Sequence, residues 1–235
     1  MKRKIVIKIG GSLLFTEGNK LNNDKIKNFC QILKKNNYSG IYVIVCGGGS
    51  IAREYINAVR SFNSNEALCD KFGIDLSRIN SKLLISYFQD YSFPLVPTSM
   101  EELSLALLFE KIIVMGGLQP GQSTTSVALE VAEFIQAKEI VILTDVDGIY
   151  DKDPKTFTDA KLIKSLNYNE LQELILKTTS YNQAAAGEYR IFDMVSLQIL
   201  KRSKIKVFIM SGKDLNEFEK YCNGEKVLNG TYITE

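Results

Sequence analysis

Short apolar runs that end at glycines recur in the first half of the chain. Residues 4–9 contain four β-branched apolar side chains and are followed by Gly10-Gly11-Ser12. Residues 41–45 form a second run, which is followed by Cys46-Gly47-Gly48-Gly49-Ser50. Runs of this length and composition are typical of strands that are buried on both faces, as in a parallel sheet.

Two later runs repeat the arrangement. Residues 112–115 lead into a glycine-rich segment, 116–125, and residues 139–144 lead into Asp145-Val146-Asp147-Gly148. Apolar side chains at helical spacing follow the second and third glycine segments. This alternation of strands and helices predicts an α/β fold with a mostly parallel central sheet.

The rest of the pattern predicts further helices and strands. Helical patterns begin at Asn23 or Asp24 and after Ser99, which has Glu102 three positions later. Residues 65–91 form a long helical pattern that we expect to break at Gly73. The remaining predicted elements are strands at 93–97, 206–210 and 230–233 and helices near 171–175 and 194–200. No long linker divides the chain, so we expect residues 1–235 to form a single domain.

Lys8 interrupts an otherwise apolar strand. A buried lysine is costly unless an anion meets its charge, and the glycines that follow let backbone amides approach such an anion closely. The position therefore indicates an anion site at the carboxyl end of the first strand. The alternative is a lysine that extends its ammonium to solvent from an edge strand, and the stretch alone favours neither.

The other segments each allow more than one interpretation. Gly47-Gly48-Gly49 favours an anion-binding loop over a flexible linker, because an amphipathic helix follows directly and places Arg53 in its first turns. Segment 116–125 favours a ligand loop over a simple helix cap, since it carries Gln, Ser and Thr side chains. Asp145 and Asp147 point the same way at a strand end, where they either hold Mg²⁺ through waters, orient a lysine or form a turn.

Composition narrows the function classes. The net charge is +2, from 29 basic and 27 acidic residues, so we expect no nucleic-acid partner. No apolar run reaches the ~20 residues of a membrane span, and we expect no membrane partner. The four cysteines form no C-x-x-C pair, which is typical of reduced thiols in a cytoplasmic protein. The absence of histidine excludes a histidine general base or metal ligand.

The combined motifs resemble the amino-acid kinase superfamily. The matching stretches are residues 8–12, residues 47–50 with Arg53, and residues 144–150 with Asp153-Pro154. Within that superfamily the chain is similar to the archaeal type of uridylate kinase, chiefly through residues 115–124. The resemblance implies a three-layer α/β sandwich that transfers the γ-phosphate of ATP to UMP. It also implies a cytoplasmic homo-oligomer, typically a hexamer, with Mg²⁺ carried by ATP.

The resemblance implies roles for individual residues as well. The catalytic residues would be Lys8, which bridges the transferring phosphoryl group, and Asp147, which holds Lys8 in place. ATP would be bound by Gly11, Ser12, Gly49, Arg53, Thr144, Asp145, Tyr150 and Asp153. UMP would be bound by Gly48, Asp70, Leu118, Gln119, Pro120, Gly121, Gln122, Ser123 and Thr124. No residue is assigned to a metal; the N-terminal part would bind the acceptor and the C-terminal part ATP.

Two positions depart from the family pattern. Asp145 stands where archaeal members often have Asn, and Gln198 stands where many members have Lys. A chain without histidine also does not fit the isopentenyl phosphate kinases, which are similar in fold but use a histidine at the acceptor phosphate. The alternatives are a non-catalytic nucleotide- or oxyanion-binding protein of storage or regulatory type, and a kinase of another small phosphate or carboxylate.

Overall fold

The computed structural model describes residues 3–36, 40–152, 154, 156–178, 191–227 and 229–235. The strands are β1 (Arg3–Ile9), β2 (Gly40–Cys46), β3 (Ile113–Met115), β4 (Glu139–Thr144), β5 (Ile149–Tyr150), β6 (Leu162–Ile163), β7 (Ser165–Asn167), β8 (Lys206–Ser211) and β9 (Thr231–Thr234). Seven of them form one sheet in the order β3-β2-β1-β4-β8-β9-β7, and β5 and β6 form a separate antiparallel pair. From β3 to β8 the neighbours are parallel, which confirms the predicted α/β class.

Helices cover both faces of the sheet. They are α1 (Asn23–Asn36), α2 (Gly49–Ser61), α3 (Glu66–Phe88), α4 (Met100–Leu107), α5 (Thr124–Phe134), α6 (Tyr168–Thr178), α7 (Met194–Ser203) and α8 (Asn216–Cys222). α4 to α7 pack on one face around Leu129 and Leu197, while α1, α3 and α8 pack on the other around Phe29, Phe88 and Phe218. The sheet is thus the middle layer of three. None of the described helices is long and apolar enough to cross a membrane.

Strand β1 divides its side chains between the two cores. Ile5 and Ile7 belong to the core that includes α1, α3 and α8, and Val6 belongs to the core that includes α5. Because successive side chains of a strand alternate between faces, Lys8 points to the same side as Val6. The parallel strands end at one edge of the sheet, which is where ligands of such folds bind.

Capping side chains set several helix starts. Ser99 accepts the N–H of Glu102 at 3.2 Å, as predicted for the start of α4. Ser123 caps α5 in the same way. The predicted caps of α1, Asn23 or Asp24, are wrong. The side chain of Asn22 accepts the N–H of Lys25 at 3.2 Å instead.

Two further predicted features are wrong. α3 continues through Gly73 without a break, and a Cβ at that position would lie 3.3 Å from Ile56, so the glycine allows α2 to pack closely. Residues 93–97 do not form a strand, because their two prolines lack the N–H groups that a ladder needs. A single bridge from Ser92 to Ile112 takes the place of the strand.

Candidate active site

Backbone hydrogen bonds fix the points at which the first two glycine loops leave the sheet. Gly10 donates its N–H to a carbonyl of β4 at 2.8 Å, and Gly47 donates its N–H to the carbonyl of Ile9 at 2.9 Å. The two loops then touch, since a Cβ added to Gly11 would lie 2.1 Å from the nitrogen of Gly49. A side chain at Gly11 is therefore sterically excluded.

Helix α3 supports both the second and the third glycine segments through buried polar side chains. Asn80 donates from Nδ2 to the carbonyls of Gly47 and Gly48 at 2.8 and 3.2 Å. Ser77 accepts the N–H of Gly117 at 2.7 Å through its Oγ. These backbone groups are thus satisfied inside the protein, as buried polar groups must be.

Two more residues of α3 hold the segment that follows β3. Arg78 donates from Nε to the carbonyl of Gly117 at 3.0 Å and from Nη2 to the carbonyl of Leu118 at 3.1 Å. Ser81 donates to the carbonyl of Met115 at 2.7 Å. One helix therefore contacts the loop after β2 and the loop after β3 and sets their separation.

The three glycine segments and the adjoining parts of α2, α3 and α5 line one cleft. The predicted residues in its lining are Lys8, Gly11, Ser12, Gly48, Gly49, Arg53, Asp70, Gln122, Ser123 and Thr124. Four further lining residues lie in the predicted loops without an individual predicted role, namely Gly10, Gly47, Gly117 and Thr125. Lining residues for which the sequence predicted no link to a ligand are Ala52, Ile56, Gly73, Ile74 and Ser77. Outside the lining are Leu118, Gln119, Pro120, Gly121, Thr144, Asp145, Asp147 and Tyr150. Asp153 lies outside the described residues.

Lys8 lines this cleft, and only 8% of its surface is exposed. It pairs with Val45 on one side and Ile142 on the other, so β1 is a central strand and the interpretation as an edge lysine is wrong. Burial lowers the pKa of Lys8 from 10.5 to about 8, and the charge of Asp145 partly offsets this effect. A bound anion would stabilise the charged ammonium further.

Asp70 connects α3 to the loop 118–124. Its Oδ2 accepts the N–H of Gly121 at 2.8 Å, across 51 positions of the sequence. Asp70 is therefore more than a solvated charge on a helix surface, and it ties the loop to the cleft. The predicted contact of Asp70 with a ribose stays a prediction.

Two buried polar atoms of the cleft have no hydrogen-bond partner among the described residues. They are the Oγ of Ser12 and the Oε1 of Gln122. The Gln122 amide nitrogen donates to Glu130 at 3.2 Å, which leaves its oxygen as the free acceptor. An unpaired buried polar atom costs ~1–3 kcal/mol. A polar ligand in the cleft would recover part of that cost.

The carboxylate segment after β4 lies outside the cleft lining but near it. Asp145 accepts a hydrogen bond from Thr144 at 3.3 Å, and its charge raises the pKa of Lys8. Asp147 instead accepts a hydrogen bond from the hydroxyl of Tyr150 at 3.1 Å. That Asp147 holds Lys8 in place stays a prediction.

The donors of the cleft suit phosphate. Glycine amides, hydroxyl groups, the Lys8 ammonium and the Arg53 guanidinium lie around it, and such groups bind phosphate oxygens. No cluster of three His, Cys, Asp or Glu side chains among the described residues is arranged to hold a metal ion. The donors that line the cleft therefore fit a phosphate.

The sequence does contain a signal for the contacts of α3. Ser77, Asn80 and Ser81 lie at helical spacing on one face, within an otherwise largely apolar helical pattern. Polar residues on a buried helix face need partners, and here the partners are backbone groups of the loops.

The chain matches known proteins over nearly its whole length. The model of the amino acid kinase family matches residues 3–211. A uridylate kinase of Methanobrevibacter smithii is 42% identical over 224 residues, which cover 95% of this chain and 96% of that protein. A uridylate kinase of Sulfolobus acidocaldarius is 37% identical over 232 residues, which cover 99% and 100%.

Solved structures of related proteins also match the chain over its whole length. The crystal structure of uridylate kinase from Archaeoglobus fulgidus has 32% sequence identity and a TM-score of 0.81, over 100% of both chains. The UMP kinase from Ureaplasma parvum has a TM-score of 0.82 over 100% of both chains, but at 21% identity it is evidence for the fold alone. This chain therefore belongs to the amino acid kinase family.

Proposed function

We propose that the protein transfers the γ-phosphate of ATP to UMP and forms UDP and ADP, a step in the synthesis of pyrimidine nucleotides. The observation that carries the proposal is the burial of Lys8 in a cleft between three glycine segments. A buried cation beside backbone amides fits a transferring phosphoryl group. The relatives named uridylate kinase, at 37–42% identity, support UMP as the acceptor.

The reaction requires positioning and charge stabilisation from the protein. The acceptor oxygen of UMP is already anionic, so no general base is needed, which agrees with a chain that has no histidine. Lys8 would contact the phosphoryl group as negative charge shifts between ATP and UMP. The amides of Gly11 and Gly49 and the guanidinium of Arg53 would bind the phosphates of ATP, which include the transferred group.

The nucleosides would be bound on two sides of this centre. On the UMP side, the Asp70 carboxylate would accept hydrogen bonds from ribose hydroxyls, and the unpaired Oε1 of Gln122 would accept an N–H or O–H of the nucleoside. On the ATP side, Thr144, Asp145 and Tyr150 would bind the nucleoside. Mg²⁺ would enter as part of the ATP substrate and neutralise charge on its phosphates.

We infer further that residues 1–235 form a single domain that acts in the cytoplasm as a homo-oligomer, with a hexamer as the size that the family implies. Four apolar side chains near α4 support an interface. They are Leu95, Leu105, Leu108 and Phe109, which are 66%, 60%, 77% and 59% exposed. The mass of the protein in solution, from light scattering, tests this inference.

A nucleotide panel tests the proposed function. The protein is given Mg–ATP and, in turn, UMP, CMP, AMP and isopentenyl phosphate, and ADP release and diphosphate products are measured. We expect UMP to exceed CMP in kcat/KM by at least about tenfold, because a mismatched base leaves a buried polar group unpaired at ~1–3 kcal/mol. Equal turnover of UMP and CMP, or nucleotide binding without any UDP, would contradict the proposal.

A further inference from the structure

Helix α3 carries a polar stripe on its buried face. Ser77, Asn80 and Ser81 are 1%, 5% and 0% exposed. Because they lie three and four positions apart, they share one side of the helix. Apolar residues would pack there without the desolvation cost of polar groups. The reason for the stripe therefore lies in what it contacts, which is the backbone of two loops of the cleft.

Asn80 restrains the backbone of three glycines, Gly47 to Gly49, which have no side chains to restrain it. Three successive glycines have access to many conformations. Asn80 binds two of their carbonyls, at 2.8 Å for Gly47 and 3.2 Å for Gly48. In a trans peptide the C=O and the following N–H point in opposite directions. The N–H groups of Gly48 and Gly49 therefore point away from Asn80.

These two N–H groups are available to a ligand. No hydrogen bond within the described part of the chain uses the N–H of Gly48 or Gly49. The nitrogen of Gly49 lies against Gly11, and all three glycines line the cleft. The two groups also begin the 13-residue helix α2, whose cap at Gly48 has no side-chain hydrogen bond. The positive end of that helix favours an anion.

We propose that Asn80 is a positioning residue for phosphoryl transfer, which holds the amides of Gly48 and Gly49 against the moving phosphoryl group by binding the carbonyls of Gly47 and Gly48. The inference rests on the proposed function, since the anion is identified with the phosphoryl group that passes from ATP to UMP. Asn80 itself touches neither substrate. Charge in the transition state is stabilised by oriented donors, so loss of their orientation lowers kcat.

Arg78 provides a matched comparison on the same helix. It binds the carbonyls of Gly117 and Leu118, in the segment that leads to the predicted UMP loop. Loss of Arg78 should loosen that loop and leave Gly47 to Gly49 in place. Substitutions two positions apart would then change different kinetic parameters, which a general weakening of α3 would not do.

The test compares Asn80→Ala, Arg78→Ala and Ser86→Ala with the wild type in the UDP-forming assay. We expect Asn80→Ala to lower kcat about 10- to 100-fold, with KM for ATP and for UMP within about threefold of the wild type. Arg78→Ala should instead raise KM for UMP about tenfold and change kcat little. Ser86 is exposed and donates within its own helix at 2.7 Å, so Ser86→Ala should behave as the wild type.

Circular dichroism at the assay temperature shows whether each variant is folded. A folded Asn80→Ala enzyme that keeps the wild-type kcat, or that loses only thermal stability, overturns the proposal. If Asn80→Ala does not fold, Asn80→Ser replaces it, because a serine hydroxyl can still donate to one carbonyl. A smaller fall in kcat at unchanged KM then supports the role of Asn80, and an unchanged kcat overturns it.

A second readout does not depend on turnover. In protein labelled with ¹⁵N-glycine, the amide resonances of Gly48 and Gly49 should shift when pyrophosphate is added to the wild type, and much less in Asn80→Ala. Such shifts in a wild type that forms no UDP would overturn the proposed function and still support Asn80. Equal shifts in both proteins would overturn the role of Asn80 even where UDP is formed.

Discussion

The cleft around Lys8 and the strand pair β5–β6 are built in different ways. Glycine backbone lines much of the cleft, and buried side chains of α3 hold it from behind. β5 and β6 contain two residues each. The Thr231 hydroxyl ties them to the sheet, because it accepts the N–H of Ile149 at 2.9 Å and donates to the carbonyl of Ile163 at 2.6 Å.

This difference separates two tasks of a nucleotide site. Backbone amides bind phosphate oxygens regardless of the base, but they act only when other groups hold the backbone in place. Side chains at a turn each add their own hydrogen bond to the binding of a nucleotide. A hydrogen bond that water can replace contributes only ~0.5–1 kcal/mol to the binding free energy. We therefore expect substitutions in the cleft to change kcat strongly and those beside β5 to change the binding of ATP weakly.

The largest effect is expected for Lys8→Met. A cation placed where charge develops contributes roughly 3–4 kcal/mol in a preorganised site, so kcat should fall about 10²–10³-fold. Folding should survive, since methionine has a similar length and the change removes a buried charge. Steady-state kinetics and circular dichroism measure the two outcomes.

Lys4→Met is the matched control for Lys8→Met. Lys4 lies on the same strand and side, but its Nζ donates to the carbonyl of Ile135 at 2.8 Å, outside the cleft. Its substitution should leave kcat unchanged. A folded Lys8→Met enzyme with near-normal kcat would make Lys8 a structural residue and remove the basis for ranking the cleft above the β5–β6 side.

The pH dependence should show that the cleft excludes water. Burial lowers the pKa of Lys8 from 10.5 to about 8. Since the proposed role needs the charged ammonium, kcat/KM should fall above about pH 8, by up to about tenfold per pH unit. The stability changes in the opposite direction. Between pH 8 and 10.5 the unfolded lysine binds a proton that the folded one has lost, so the free energy of unfolding rises with pH.

The fall in kcat/KM above about pH 8 is measured by a pH–rate profile of the wild type, recorded beside the residual rate of Lys8→Met. The fall should be absent from the variant, which has no group to titrate at that position. A wild-type profile that stays flat to about pH 10 would mean that Lys8 keeps an ordinary pKa or is not needed in its charged form.

Features that depend on neighbouring residues could be predicted from the sequence. The run at 139–144 is β4 with the same bounds, and the run at 206–210 is β8 without its last residue. These strands are buried on both faces, so apolar composition alone identifies them. The glycine segments could also be predicted, because each position has a local requirement that only glycine meets. Gly49 has a φ of +77°, and Gly11 has no room for a side chain.

Features that depend on distant residues could not be predicted in this way. Asn80 and Gly47 are 33 positions apart, and no local pattern links them. Two carboxylates at a strand end share a direction, but the pattern does not tell how strongly each of them acts on the lysine, and in the structure the charge of Asp145 raises the pKa of Lys8. The helix through Gly73 shows packing overriding the low propensity of glycine.

The smallest effect is expected for Tyr150→Phe, on the side of β5. The hydroxyl of Tyr150 donates to Asp147 at 3.1 Å at an exposed position. Loss of such a hydrogen bond costs ~0.5–1 kcal/mol, so KM for ATP should rise about two- to fivefold. The ring remains, and the cleft around Lys8 is untouched, so kcat and KM for UMP should not change.

Tyr91→Phe is the control for this substitution. Tyr91 is 42% exposed, and its carbonyl accepts the N–H of Ile112 just before β3, whereas the cleft is lined by the loop that follows β3. Tyr91→Phe should leave all three parameters at wild-type values. A fall in kcat of about 10-fold or more for Tyr150→Phe would contradict the comparison. It would mean that the predicted contact of Asp147 with Lys8 depends on the Tyr150 hydroxyl, and that the segment after β4 belongs with Lys8 rather than apart from it.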